Sequence, residues 1–406
     1  MGGMACGTGT DLVSVSEVDA LLAGLRRPFG TGISRLAEAA GRILAEPLRA
    51  DRDGPPFPRA TMDGYALRYA DWAAGRRRFH VGGQQWPGSP ALELPAQAGA
   101  CVEIMTGAPC PVGADCVVPY EETSVSQDIV SIAEGVKIIP GQCVHPRGSD
   151  FRAGQELVPA GTRLGPAEIG IAASCGYAEM RTALWPDICL VSTGDELVNV
   201  RETPAPGQIR QSNIHALGAA LRLAGAQGLV PSHLGDEREA VRSTLEVLTQ
   251  LPVVIITGGI SKGRKDWVAP VLNEWAPPLF HGVSQRPGKP MGVWALEKSV
   301  VFALPGNPVS ALTGLHRFVL PWLRANAGLT NLPPARNLTL AADITAPRGL
   351  TWFLPVRVDA EGLAHPAPTN TSGDYAALHH SDGFLETPAA ADHLKAGERF
   401  PFTPWL

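Results

Sequence analysis

The chain has 406 residues, of which 45% are hydrophobic and 18% charged, and its formal net charge is -5. That mix supports folded cores and excludes a largely disordered chain, and the acidic balance removes the electrostatic case for nucleic acid as the main partner. Length suggests two to four domains at about 150 residues each, while 45 Gly and 37 Pro favour many turns and short strands.

Met1 to Thr10 lacks the basic start and apolar centre of a signal peptide and reads as a loose tail. No run reaches the roughly 18 apolar residues of a membrane span, so a soluble, cytoplasmic protein is expected. Cys6, Cys101, Cys110, Cys116, Cys143, Cys175 and Cys189 form no Cys-x-x-Cys pair and read as free thiols in a reducing compartment. Ser16 to Leu25 is predicted as a short helix capped by Ser16. Ser34 to Glu46 is predicted as a second, with Leu36, Ala39, Ala40, Ile43 and Leu44 on one face and Pro47 ending it. A proline-rich loop, Gly54-Pro-Pro-Phe-Pro58, then leads into Thr61-Met-Asp-Gly-Tyr65. From Tyr65 to about Val158 the segments are short, β-like and separated by Gly and Pro, which predicts a small all-β module. Gly154 to Tyr177 reads as a return linker with a brief helix near Pro166 to Ser174. From Pro186 to about Ala327 strands alternate with helices at Asn213 to Ala224, Glu237 to Gln250, Asp266 to Trp275 and Ser310 to Asn326. This alternation predicts a three-layer α/β domain. Beyond Pro333-Pro334 short strands return, at Asn337 to Ile344, Thr351 to Val358 and Phe384 to Thr387, as in a terminal β-module or small barrel.

Within the α/β region one event occurs three times. Asp187 to Val191 runs into Ser192-Thr-Gly-Asp-Glu196, Val253 to Ile256 into Thr257-Gly-Gly-Ile-Ser261, and Val300 to Leu304 into Pro305-Gly-Asn-Pro-Val-Ser310. In an open parallel sheet these turns lie together at the carboxyl ends of the strands, where ligands bind. Each is expected to offer free backbone N–H groups to an oxyanion. Glu196 and Asp266 bring carboxylates to the same end, which suggests a divalent cation between acid and oxyanion. Lys262, Arg264 and Lys265 on the second turn, and Arg286 and Lys289 on a proline-stiffened loop, supply positive charge. Taken singly each motif also has a plain structural reading, with Glu196 or Asp266 as a helix cap and Asp63-Gly64 as an ordinary turn.

Taken together the motifs carry a resemblance. Thr61-Met-Asp-Gly-Tyr-Ala66, Met105-Thr-Gly-Ala-Pro109, Arg147-Gly-Ser-Asp150, Ser192-Thr-Gly-Asp-Glu-Leu197, the glycine-glycine loop ending at Asp266, Pro287-Gly-Lys-Pro290 and Leu304-Pro-Gly-Asn-Pro-Val-Ser310 stand in one order. From about Asp11 to its end the chain resembles the MoeA family of molybdopterin molybdenumtransferases, to which the E domain of gephyrin is related. The resemblance implies an elongated homodimer of multidomain α/β and β chains. Residues 11–30 and 182–330 would form a MogA-like α/β domain, and 31–50 with 155–181 a linker and dimerisation domain. Residues 51–154 would form a small β-domain closing over the partner's active site, and 333–406 a C-terminal β-barrel-like domain. The implied reaction inserts molybdenum from molybdate into adenylylated molybdopterin and releases AMP, with Mg²⁺.

Matched motif by motif, the resemblance implies Asp63 as an acid acting on the partner subunit and Thr106 as a hydroxyl near the oxyanion. Glu196, Asp236 and Asp266 become the cleft acids for cation and nucleotide, and Asp150 a support between domains. Substrate would run along Ser192, Thr193, Gly194, Gly258, Gly259, Ser261, Pro305, Gly306, Asn307 and Pro308. Arg286 and Lys289 would meet phosphate, and Arg357 and Ser372 molybdate or the pterin. A molybdopterin adenylyltransferase and the receiving apo-molybdoenzymes, or their chaperones, become the expected partners. The chain departs from the family in having Arg286 and Gly282 where the best-known members carry lysines, a Gly-Arg-Lys-Asp sequence in the second turn, and Ala60 before the Thr-Met-Asp-Gly motif. These changes make the local field more positive and admit a variant oxyanion such as tungstate. No Ser-His-Asp or Cys-His pair in the sequence suggests a covalent intermediate. Two other activities share the resemblance: the preceding adenylyl transfer, and non-catalytic carriage of the cofactor.

Overall fold

A computed structural model describes residues 12–260, 263, 266–330, 335–367, 369 and 371–405. The expected N-terminal tail, Ser261, Lys262, Arg264, Lys265 and the Pro333-Pro334 boundary lie outside them. The chain forms two compact units, one of residues 46–160 and 166–179, the other of residues 1–45, 161–165 and 180–406.

The smaller unit contains the short strands expected between Tyr65 and Val158, together with the segment 166–179. Its six-stranded sheet runs Cys116–Pro119, Gly64–Leu67, Ala100–Ile104, Arg78–Gln85, Ile129–Ile132, Thr123–Ser126. Gly64–Leu67 is buried along its whole length. Tyr65 and Leu67 pack with Phe79, Cys101 and Val118 on one side, and Ala66 with Ile104 and Val117 on the other. A short helix, Tyr69–Ala73, interrupts the β pattern, and the helix Pro166–Ser174 forms where the sequence predicts it.

In the larger unit a six-stranded sheet runs Leu229–Leu234, Ile188–Thr193, Val253–Thr257, Val300–Leu304, Gly292–Ala295, Phe280–His281. The first four strands are parallel and the last two antiparallel, so the sheet is mixed at one edge. The central strands are apolar without alternation because both faces are covered. Ile188, Leu190, Ile255 and Phe302 meet Leu217, Leu221 and Phe318 on one side. Cys189, Val191, Val254, Ile256 and Val301 meet Val241, Leu245, Val268 and Leu272 on the other. Each such buried side chain contributes about 1.5–3 kcal/mol.

Asn213–Ala224 ends at Gly225, and Arg238–Leu248 and Val268–Trp275 follow close to the predicted limits. The last helix runs from Pro308 to Asn326 through a π-turn at Leu315–Val319. Arg317 on that turn donates to Asp19 and Glu386, joining the first helix to the C-terminal strands. Those strands close a small barrel in the order Thr351–Val358, Leu363–Pro366, Arg336–Leu340, Arg399–Pro404, Gly383–Thr387 and back to Thr351–Val358. Phe353 and Phe384 turn away from the barrel interior to pack against Phe318, so barrel and α/β sheet share a core.

Two predicted helices change. The first is Val15–Gly24, and its cap is Ser14 rather than Ser16, because Ser14 and Glu17 exchange hydrogen bonds in a capping box. The second does not form. Thr31–Arg35 is a strand, Leu36–Glu38 a single 3₁₀ turn, and a turn at Ala40 and Gly41 then leads to isolated bridges at Ile43 and Leu44. Gly41 takes φ +79°, which no helix accommodates. Its flanks find partners elsewhere: Ser34 Oγ lies 2.7 Å from Thr182 Oγ1, and Leu44 N–H donates to Thr162 O at 2.9 Å. Ile43 and Leu44 are buried all the same. Apolar spacing that would suit a helix face here serves a segment lying between two partners.

Candidate active site

The three strand-end turns converge on one cleft of about 680 Å³. Ser192, Thr193, Gly194 and Glu196 enter from the first, Gly258 and Gly259 from the second, and Pro305, Gly306, Asn307 and Pro308 from the third, with Asp236 and Asp266 on the same walls. The topology explains why: three adjacent parallel strands end side by side, and each chain direction reverses there.

The turns are locked to one another. Gly258 and Gly259 have φ +93° and +68°. A Cβ at Gly258 would collide with Thr193 Oγ1, and one at Gly259 would lie 2.8 Å from Val268 Cγ2. Thr193 Oγ1 donates to Thr257 O at 3.2 Å, and Thr257 Oγ1 to Val191 O at 3.3 Å. The expectation of free amides needs correcting at three points. Gly194 N–H donates to Leu234 O, Gly258 N–H to Leu304 O, and Val309 N–H to Ser372 O. Neighbouring strand ends and a C-terminal segment supply carbonyls that a sequence reading of isolated turns does not see.

Among the acids, Glu196 is exposed and lies over Gly194, and its carboxylate has no hydrogen-bond or ion-pair partner among the described residues. Asp266 Oδ2 accepts from Gly263 N–H at 2.9 Å, so it closes its own loop instead of capping the helix that starts at Val268. The amide of Asp236 donates to Asp195 Oδ1 at 3.1 Å, which ties that loop to the first turn. Among the described residues no three His, Cys, Asp or Glu side chains converge tightly enough to hold a metal by themselves. Glu196, Asp236 and Asp266 are therefore not a ready-made three-carboxylate cage. Their all-oxygen chemistry suits Mg²⁺ instead, which takes one or two carboxylates and completes its shell with water and substrate phosphate.

Further cleft residues carry no signal in the sequence. Asn213, at the start of its helix, donates from Nδ2 to Gly306 O at 2.7 Å and accepts from the Tyr375 hydroxyl at 2.9 Å. Burial pushes the Tyr375 phenol up to about 12, so it stays a donor. Arg210 lines the cleft and is held by Glu202 O at 3.0 Å. Ser192 Oγ lies 3.1 Å from His233 Nδ1, a serine–histidine contact that the linear sequence hides.

A second cavity of about 290 Å³ adjoins the cleft and shares Pro290, Pro305 and Asn307 with it. Arg286, Ser310 and Ser372 line it, and the Arg286 guanidinium lies 5.9 Å from the centre of the Trp352 ring. Lys289 is exposed and Arg357 lies on the outside of the barrel strand opposite His365, and neither lines either cavity.

In the smaller unit, Asp63 Oδ1 accepts both the Thr106 N–H and the Thr106 hydroxyl, each at 2.7 Å. These two bonds, the backbone one first, hold the Asp63 carboxyl below its ordinary value. The Thr106 hydroxyl is therefore committed to Asp63 and is not directed outward to an oxyanion as the sequence suggested. Asp150 Oδ1 pairs with His145 Nε2 at 2.9 Å.

Comparison with known proteins gives a consistent result along the chain. Residues 13–176 match the model of the MoeA N-terminal region (domain I and II), 189–325 that of a probable molybdopterin binding domain, and 337–405 that of the MoeA C-terminal region (domain IV). The molybdopterin molybdenumtransferase of Synechocystis sp. is 38% identical over 402 residues, covering 97% of this chain and 100% of its own. Molybdopterin molybdenumtransferase 2 of Mycobacterium tuberculosis is 31% identical over 401 residues, covering 95% and 97%. The crystal structure of the molybdopterin biosynthesis MoeA protein from Pyrococcus horikoshii OT3 superposes with a TM-score of 0.83 at 26% identity, over 97% of this chain and 100% of that one.

Proposed function

The chain belongs to the molybdopterin molybdenumtransferase (MoeA) family, and from that premise we propose that its cleft inserts molybdenum from molybdate into adenylylated molybdopterin, with release of AMP. The observation that carries this reading is the convergence of three glycine-containing turns and three carboxylates on one cleft. Acids alone would repel molybdate and a pyrophosphate. Mg²⁺, held by Glu196, Asp236 or Asp266 together with substrate phosphate, would neutralise that repulsion and polarise the phosphate that leaves.

The chain's own groups do the rest. Gly258 and Gly259 let the nucleotide phosphates approach the backbone closely. Asn213 fixes the third turn by its bond to Gly306 O. The adjoining cavity, with Arg286 and two serines, suits a second oxyanion, and we read it as the entry of molybdate or the seat of the pterin. Asp63, kept ionised by Thr106, is proposed to act on the cleft of a partner subunit, in a homodimer with shared active sites. A molybdopterin adenylyltransferase would supply the substrate, and apo-molybdoenzymes or their chaperones would take the product. The cytoplasm is the proposed place of work; among the described residues no helix is long and apolar enough to cross a membrane.

The test is turnover of adenylylated molybdopterin followed as AMP release, with molybdate and Mg²⁺ each added or withheld. Release that requires both is the expected result. Release without molybdate, or none from protein that binds the pterin, would refute the assignment.

A further inference from the structure

Three hydroxyls stand at the strand ends that floor the cleft: Ser192, Thr193 and Thr257. Two are fixed by backbone. Thr193 donates to Thr257 O and Thr257 to Val191 O, and three turn amides are likewise engaged with carbonyls. Ser192 differs. It is 2% exposed, it lines the cleft, and its Oγ faces His233 Nδ1 at 3.1 Å. The two residues are directly opposite in the parallel pairing of Ile188–Thr193 with Leu229–Leu234, so they share a face of the sheet.

A carbonyl can only accept, but an imidazole nitrogen can do either. With Nδ1 unprotonated, Ser192 must point its proton at the ring and shows the cleft only lone pairs. With Nδ1 protonated as well as Nε2, the ring is an imidazolium that donates to Oγ, and the Ser192 proton is free to turn into the cleft. The second state puts a hydroxyl donor, backed by a positive ring, in front of an anion. The first repels it.

We propose that Ser192 is an oxyanion donor whose direction is set by His233, so that a phosphate or molybdate in the cleft is bound with His233 protonated at Nδ1. Ser192 is the group that touches the anion and His233 is a positioning residue. This rests on the cleft being the anion site proposed above, but not on the reaction that occurs there. Charged groups on the surrounding elements are Asp195 and Glu196 on the first turn, Asp236 and Glu237 on the loop after His233, Arg210 across the cleft, and His215 and Arg222 on the helix Asn213–Ala224. The helix Arg238–Leu248, also against this strand, adds Arg238, Glu239, Arg242 and Glu246.

The experiment is calorimetry of AMP binding to the full chain in two buffers of different ionisation enthalpy, which counts protons taken up. Wild type, His233→Leu, Ser192→Ala and the double variant are compared, so that the phosphate's own proton cancels. The wild type should take up more protons on binding than His233→Leu. Its affinity should exceed that of His233→Leu by roughly tenfold. His233→Leu should have no further effect in the Ser192→Ala background. His233 is exposed, so its replacement leaves the fold intact. Equal proton counts, an undiminished His233 effect without Ser192, or no AMP binding by wild type would each overturn the proposal. A wild type that binds AMP with proton uptake yet releases none from adenylylated molybdopterin would instead refute the reaction and leave this inference standing.

Discussion

The cleft and the loop end of the β-module hold their acids in opposite ways. In the cleft the backbone is rigid and one acid is loose: the turns are braced by Thr193, Thr257 and left-handed glycines, while the Glu196 carboxylate has no partner among the described residues. In the β-module one side chain is itself tied, with two donors of Thr106 on a single oxygen of Asp63. A carboxylate without a partner can accept a cation without first breaking a bond. A carboxylate already saturated at one oxygen is preorganised as a fixed charge. Under the proposed function, the difference separates a group that would take up the cation from a group that would shape a field.

Removing the loose acid should have the largest effect. Glu196→Gln keeps the shape and loses the charge, and AMP release should fall by about 10²–10³-fold, in the range found when one preorganised electrostatic group is lost. Raising Mg²⁺ should recover part of the loss. Loss that is indifferent to Mg²⁺ would mean that Glu196 does not hold the cation. Next comes the frame. Gly258→Ala places a Cβ against Thr193 Oγ1 at a φ that L residues avoid. The fold should lose about 1–3 kcal/mol in urea unfolding, with turnover falling alongside. Unchanged stability would show that the turn relaxes and that the braced backbone is not what separates the two regions.

How much of this was legible in the sequence follows from what each feature depends on. The strands Val253–Thr257 and Val300–Leu304 and the helix Asn213–Ala224 announce themselves, because a buried run or a 3.6-residue period ends at a glycine or proline. The three turns, and the acids near them, follow from the order of those elements. The Ser34 to Glu46 helix was misread because its apolar spacing is real but its partners, Thr182 and Thr162, are over a hundred residues away. His233 stands 41 residues from Ser192 and Tyr375 162 residues from Asn213, and that separation hides both pairs. Leu229–Leu234, with Pro231 inside it and exposed positions along it, reads poorly as a strand, so nothing in the sequence sets His233 beside the first turn. Lys289 and Arg357 show the converse. Charge in a promising motif does not dictate where a side chain points.

A smaller effect should come from loosening the tied acid. Thr106→Val removes the hydroxyl bond to Asp63 and leaves the stronger amide bond. Because Asp63 is held low in the folded state, its contribution to stability is present above the unfolded carboxyl value and is lost as pH falls through the folded one. In Thr106→Val the folded value rises, so the acid limb of AMP release should move to higher pH. Turnover at neutral pH should drop by about tenfold or less, as for loss of one ordinary hydrogen bond. An unmoved acid limb would mean that the ionisation of Asp63 does not limit the reaction.

The smallest effect is expected at the third turn, where no charge is involved. Tyr375→Phe removes the hydroxyl that donates to Asn213 Oδ1, while Asn213 Nδ2 keeps its bond to Gly306 O. The net loss is about 1 kcal/mol, so KM should rise several-fold with kcat little changed. Asn213→Ala, which frees Gly306 as well, should cost more, and the double variant no more than Asn213→Ala alone. Burial keeps the Tyr375 phenol protonated well past neutrality, at about 12, so the rise in KM should be flat with pH. That flatness distinguishes a neutral latch from the Ser192–His233 pair. A pH-dependent rise would mean that the third turn is coupled to an ionising group, and that the two sides of the cleft are not held independently.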